Sequence, residues 1–361
     1  ILSCLLCPVV QASPVGVACS SDGSRIFVAM EDPPSVKVVD VASGAVTATW
    51  LLPDTPNHLK IVPDGTRLLV PAGLAPGKLL TLDTATGSIN GTIQCGHSPE
   101  FVELSADGKT AYVCNEFENL VSVVDLTSNQ VTARIPAVRQ PVAAQLRPDG
   151  AALYVANLLP SGPANTGDIA AEITVVDTST GNTRLIRLPN GSTDVRALTV
   201  SGDGRFVYLV HTLARYGLPT TQLDRGWMNT SALSVIDANQ HRLAATILLD
   251  DIDLGAANPA GVAVSRDGRL LAVSHAGTHE LSLMDRAALH DRIDRAARGE
   301  AVTAVSRSIK DLPNDLSFLH GIRKRVKLTG NGPRELIATA YGFAVICYFS
   351  RTLHRVRTGP G

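Results

Sequence analysis

Two histidines fall four apart beside an acid in Ser274-His275-Ala276-Gly277-Thr278-His279-Glu280. Imidazoles can ligate a metal or carry a proton near neutral pH. With His97 and His211 they make a candidate metal set of His97, His211, His275 and His279, the metal unspecified because loop spacing fixes no geometry. Singly, each is also an ordinary hydrogen-bonded loop histidine. The densest chemical segment runs from His211 to Asn229 and carries Arg215, Tyr216, Gln222, Arg225 and Trp227. Arg, Tyr and Trp are the types that anchor partners at interfaces. Long loops in compact domains are commonly functional, and a lid sealing a channel is the competing reading. Arg334, in Gly330-Asn331-Gly332-Pro333-Arg334, completes the candidate ligand or partner set with Glu280. No catalytic residue is assigned: GxSxG, HExxH, P-loop and CxxCH patterns are absent from the sequence. Cys4-Leu5-Leu6-Cys7 has CxxC spacing, but Pro8 follows where haem attachment needs His.

The elements that must position these residues are read from a repeat. Short apolar runs end in Asp at Asp40, Asp83, Asp125, Asp177, Asp237 and Asp285, and an Asp-Gly pair precedes each, at residues 22–23, 64–65, 107–108, 149–150, 203–204 and 267–268. One unit shows the pattern: Phe101–Ser105 strand, Asp107-Gly108 hairpin, Thr110–Cys114 strand, Leu120–Asp125 strand, a turn, and Val131–Ile135. Four antiparallel strands per unit predict propeller blades. The Asp ending strand three is expected to cap a turn, a structural and not a catalytic role. Blades are predicted to start near residues 14, 56, 99, 141, 194, 259 and 333, giving an all-β, seven-bladed propeller over 13–361 with an incomplete last blade. Leu289, Ile293 and Ala296 predict a short helical insertion in blade six. Loops between strands two and three then share one face, the funnel face, with the crossovers that start each blade. That face is expected to gather His58, His97, Arg196, His211, Arg215, His275, His279, Glu280 and Arg334.

Composition excludes several classes. Lys and Arg number 32 against 33 Asp and Glu, so no basic field marks a nucleic-acid binder. No apolar run after residue 20 is long enough to span a membrane. Hydrophobic residues make up 45% and aromatics only 4%, the Val, Leu and Ala filling of stacked sheets. Residues 1–12 are apolar and end in Val10-Gln11-Ala12, a small-residue cleavage pattern, so they read as the remnant of a secretory signal; the other reading is an outer strand closing the last blade. The cluster Arg323-Lys324-Arg325-Lys327 reads as a charged outer edge that discourages edge pairing, or as an anionic docking site.

The segments Asp107-Gly-Lys-Thr-Ala-Tyr-Val-Cys-Asn115 and Pro148-Asp-Gly-Ala-Ala-Leu-Tyr-Val-Ala-Asn157 resemble the bacterial YVTN-type β-propeller repeat. Leu188–Thr193, Leu218–Asn229, Leu249–Pro259, Ser274–Leu281 and Gly330–Arg334 look like an exported subfamily in which the propeller precedes a cytochrome c peroxidase-like di-haem domain. The resemblance covers roughly residues 13 to 356. It implies an extracytoplasmic location (periplasmic, secreted or cell-surface) and a haem c partner domain, with no cofactor in this chain. The leading expectation is a docking module with a haem redox partner, a small ligand, or both, on the funnel face. The alternative is a lactonase-like hydrolase using His211, His275 and Arg334.

Overall fold

The computed structural model describes residues 4–6, 13–163, 165–215 and 228–359. Seven four-stranded antiparallel sheets are arranged in a ring. Blade one is Pro14–Cys19, Arg25–Met30, Ser35–Asp40 and Val46–Leu51. Blade three is Pro99–Leu104, Thr110–Asn115, Leu120–Asp125 and Gln130–Pro136. The first strands of neighbouring blades touch in turn around the whole circle and so line a central channel. Chain alternation puts the Asp-Gly hairpins on the far face and the strand two-to-three loops on the funnel face. In blade seven, Pro333–Thr339, Gly342–Cys347 and Thr352–Arg357 are joined by Cys4–Leu6, which pairs antiparallel with Thr352–Arg357 in the fourth position.

Burial follows strand position. Strand two of blade four, Ala152–Asn157, is buried throughout, because it is covered on both sheet faces by adjacent blades. The outermost Gln130–Pro136 is mostly exposed. Each fully buried Leu or Ile between blades contributes about 1.5–3 kcal/mol, and these contacts repeat around the ring. Inner strands approach closely at the channel, where a Cβ on Gly261 would lie 2.5 Å from the Arg334 carbonyl oxygen.

The repeated Asp residues are turn caps. Asp40 accepts from the Ser43 amide at 2.8 Å, Asp83 from Thr86 at 2.8 Å, Asp125 from Thr127 at 2.8 Å and Asp237 from Gln240 at 3.0 Å. These bonds hold the carboxyls of Asp40, Asp83 and Asp125 below the ordinary range. Asp285 does the same job at a helix: it accepts from Ala288 at 2.9 Å and caps α1, Arg286–Ala297. Leu289, Ile293 and Ala296 of α1 are buried against blades five and six, as their spacing predicts. His290 of α1 shares a 2.6 Å hydrogen bond with Tyr208 Oη.

Blade five differs from the others in length. Its second and third strands, Phe206–Ala214 and Asn229–Asp237, pair over nine residues, so the insertion starts as an extended hairpin. Tyr216, Gln222, Arg225 and Trp227 lie outside the described residues.

The basic cluster is half internal. Arg323 binds the Leu249 carbonyl and Asp251, while Arg325 binds Glu280, Asp251 and the carbonyls of Leu254 and Gly255. These two arginines tie the crossover from blade five to the outer strand of blade six, Arg323–Lys327. They leave no free guanidinium for an anionic partner.

Candidate functional site

The histidines expected at the rim occupy a repeat position inside the blades. The sixth residue of strand two is Asn115, Asn157, His211 and His275 in blades three to six; it ends the strand in blades three, four and six and lies within the longer strand of blade five. Each reaches a hydroxyl on strand three of its own blade. Asn115 Nδ2 donates to Ser122 Oγ at 2.9 Å and Asn157 Nδ2 to Thr174 Oγ1 at 3.0 Å. His211 Nε2 lies 2.8 Å from Ser234 Oγ, and His275 Nε2 lies 2.8 Å from Ser282 Oγ. Both imidazoles are fully buried. Desolvation therefore drives their pKa values down, to about 4 for His211 and about 3 for His275. Neither faces the channel, which corrects their expected place as pocket-lining residues.

The other candidates divide in the same way. Glu280 is buried and held by Arg325, at 2.9 Å from Nε. Arg215 is buried and donates to the Pro313 carbonyl in the blade-six insertion, so it fastens two blades together. His97 bonds Ser98 Oγ at 2.9 Å and stands edge-on to Phe117 at 5.6 Å. His279 does line the channel, its Nδ1 accepting from the Gly332 amide at 3.0 Å. Among the described residues no group of three or more His, Cys, Asp or Glu is placed to hold a metal, and the four expected ligands are not brought together. Cys95 and Cys114 are buried free thiols.

What converges instead is a charged channel mouth, open to the funnel face, in a cavity of about 960 Å³. Glu31, His58, Glu100, Glu116, Arg196, Arg334 and Glu335 come from five blades to line it. His58 Nε2 lies 3.0 Å from Glu335 Oε1, and Glu335 Oε2 accepts the Val17 amide at 3.0 Å. The His58 ring stacks on Phe101 at 3.9 Å. Tyr348 donates to Glu31 at 2.7 Å, and the Arg334 guanidinium lies 3.7 Å over the Tyr348 ring. Deeper in the mouth, Lys60 pairs with Glu103 at 2.7 Å. Of these, His58, Arg196 and Arg334 are expected on the funnel rim from strand direction, and the glutamates are not. The glutamates carry no motif, and their single available signal is position: each starts or precedes a first strand, or follows a second one.

Glu100 keeps part of its surface toward the channel but lies deep enough that desolvation dominates. Burial, then the neighbouring Glu116, push its carboxyl up to about 7, against the opposing pull of Arg196 and Arg334. The folded state then holds a proton on Glu100 that the unfolded chain releases near its ordinary value. Stability from this group is full at low pH and is lost as pH rises toward about 7. Glu100→Gln is accordingly expected to stabilise the fold by ~1–2 kcal/mol at about pH 8 and to be nearly neutral at about pH 4.5. Denaturant titrations at the two pH values check this; equal effects at both would refute it.

No family model matches the chain. Hydrazine synthase subunit beta of Kuenenia stuttgartiensis is 25% identical over 249 residues, which cover 66% of this chain and 59% of that protein. The chain thus matches less than two thirds of its curated relative's length. The solved structure of Kuenenia stuttgartiensis hydrazine synthase gives a TM-score of 0.84 over 96% of both chains at 23% identity. The two share one fold. That fold is the seven-bladed propeller, and the likeness extends to the whole ring and not to a fragment of it.

Proposed function

We propose that this chain is an exported, non-catalytic propeller that docks a redox protein on its funnel face. One observation carries the reading. Leu51, Leu74, Phe117, Met228, Ile252, Leu254 and Phe349 are large apolar side chains exposed on the funnel-face loops and strand ends, with Leu51 at 72%, Leu74 at 68% and Ile252 at 67%. Isolated exposed hydrophobes are ordinary, but seven of the twelve large exposed apolar residues among those described fall on this one face, which favours an interaction surface there. The likeness to a protein named as a synthase subunit supports membership of a multi-subunit assembly. The resemblance to YVTN-type repeats joined to a peroxidase-like di-haem domain makes a haem c protein the proposed partner, in an extracytoplasmic compartment. A hydrolytic reading through His211 and His275 has no support in the geometry, since both are sealed inside blades.

The test is a tagged protein recovered from its native host and assayed for co-purifying haem. Leu74→Glu, Phe117→Glu and Ile252→Glu together are expected to remove at least about nine-tenths of the haem, because each places a charge in a desolvated interface. Tyr341→Glu, on a far-face hairpin, is expected to leave it unchanged. Absence of haem from the unaltered protein, or equal haem in the triple variant, would overturn the proposal.

A further inference from the structure

Most charged groups at the channel mouth are already paired. Glu335 is taken by His58 and the Val17 amide, Lys60 by Glu103, Arg196 by Asp194, and Glu31 by Tyr348. Three are not. Among the described residues no hydrogen bond or ion pair reaches the carboxyls of Glu100 and Glu116 or the guanidinium of Arg334. All three line the same cavity.

Arg334 is held, although it is unpaired. Its guanidinium lies over Tyr348 at 3.7 Å, with Phe349 at 6.0 Å, and Tyr348 is itself fixed by Glu31. Stacking occupies the flat face of a guanidinium and leaves its N–H edge free, the edge that suits a carboxylate. Glu100 stands close enough to Glu116 to be repelled by it and near enough to Arg196 and Arg334 to feel their charge, while Glu116 feels Arg196; no contact joins either glutamate to Arg334. Opposite charges held apart in one cavity form a complement for a ligand that carries both. Val15, Val142, Leu158 and Ala197 supply an apolar wall at the same end, and the volume falls in the range of small-molecule sites.

We propose that the channel mouth binds a small aliphatic zwitterion of the amino-acid class, its ammonium between Glu100 and Glu116 and its carboxylate on Arg334. The site goes beyond the docking function, and uses none of the three residues altered to test it. Cation binding also screens the repulsion between the two glutamates.

Isothermal titration of the purified protein with L-leucine, isovalerate and isopentylammonium separates the two charges. Above neutral pH, L-leucine is expected to bind saturably and at least about ten-fold tighter than either single-charge analogue. Glu100→Gln and Arg334→Gln are each expected to weaken it at least about ten-fold, and Arg205→Gln on the far face to leave it unchanged. Matching unfolding transitions will show that the variants retain the fold. The proposal is overturned by no saturable L-leucine binding, by an analogue binding as tightly, or by unchanged affinity in both site variants. None of these outcomes bears on haem recovery, so the two readings fail separately.

Discussion

Acidifying the protein from about pH 7 to about pH 4 is expected to cost several kcal/mol of stability, most of it through His211 and His275. Both imidazoles are buried and neutral, with folded values near 4 and 3 against an ordinary 6.5. The unfolded chain therefore binds protons that the folded chain refuses. Their stabilising share is complete above about 6.5 and drains away as pH falls toward the folded values. The pair sets a ceiling of ~8 kcal/mol, and local opening before full protonation will lower it. Glu100 works in the opposite direction over part of the range, since it gains stability as it protonates.

Substitution separates this account from a general acid effect. Asn fills the same position in blades three and four, where it bonds Ser122 or Thr174. Replacing His211 and His275 by Asn is expected to keep the strand-to-strand hydrogen bond and to flatten the stability profile between about pH 4 and about pH 6.5. Each side chain is smaller than imidazole, so a cost of ~1–2 kcal/mol at neutral pH is expected from the void. Ala at either site loses the bond as well and should cost ~3 kcal/mol. Denaturant midpoints at several pH values decide the matter. A double Asn variant with an unchanged acid profile would show that the titration lies elsewhere.

Arg325→Ala is expected to cost ~3–5 kcal/mol. One guanidinium holds Glu280 at 2.9 Å, Asp251 at 3.1 Å, and the carbonyls of Leu254 and Gly255 at 2.8 Å each. Its removal leaves Glu280, only 10% exposed, with Lys327 at 3.9 Å as its remaining cation. A buried carboxylate without a close partner is costly. Arg325→Lys should recover a minor part, because a single ammonium cannot span four acceptors in the same plane. Adding Glu280→Gln to Arg325→Ala should restore part of the loss, since the stranded charge is gone. Unfolding free energies of the two single variants and the double variant test it. Additive losses would mean that the two residues do not act as a pair.

The ring was legible before any coordinates. A period of about forty residues, Asp at the end of strand three and Asp-Gly at the hairpin follow from local rules of turn chemistry and alternation, which act over a few residues and so leave a mark in the chain. The helix in blade six was legible for the same reason, through the spacing of Leu289, Ile293 and Ala296. The funnel face could be assigned from strand direction alone. His211 and His275 show where this reasoning stops. Their loop-edge positions place them near the rim, but the direction of a side chain at a strand end depends on the hydroxyl opposite it, here Ser234 and Ser282. That the same position holds Asn115 and Asn157 was a signal in the repeat itself. Arg325, read as outer-edge charge, and Glu280, read as a funnel-face ligand or partner residue, form an internal clasp instead, because pairing across about forty-five residues leaves no local trace. At the channel mouth, strand direction places His58, Arg196 and Arg334 on the rim, but the glutamates and their grouping belong to tertiary structure. Glu100 and Glu116 lie on blade three and Arg334 on blade seven, and only closure of the ring brings the two blades into one cavity.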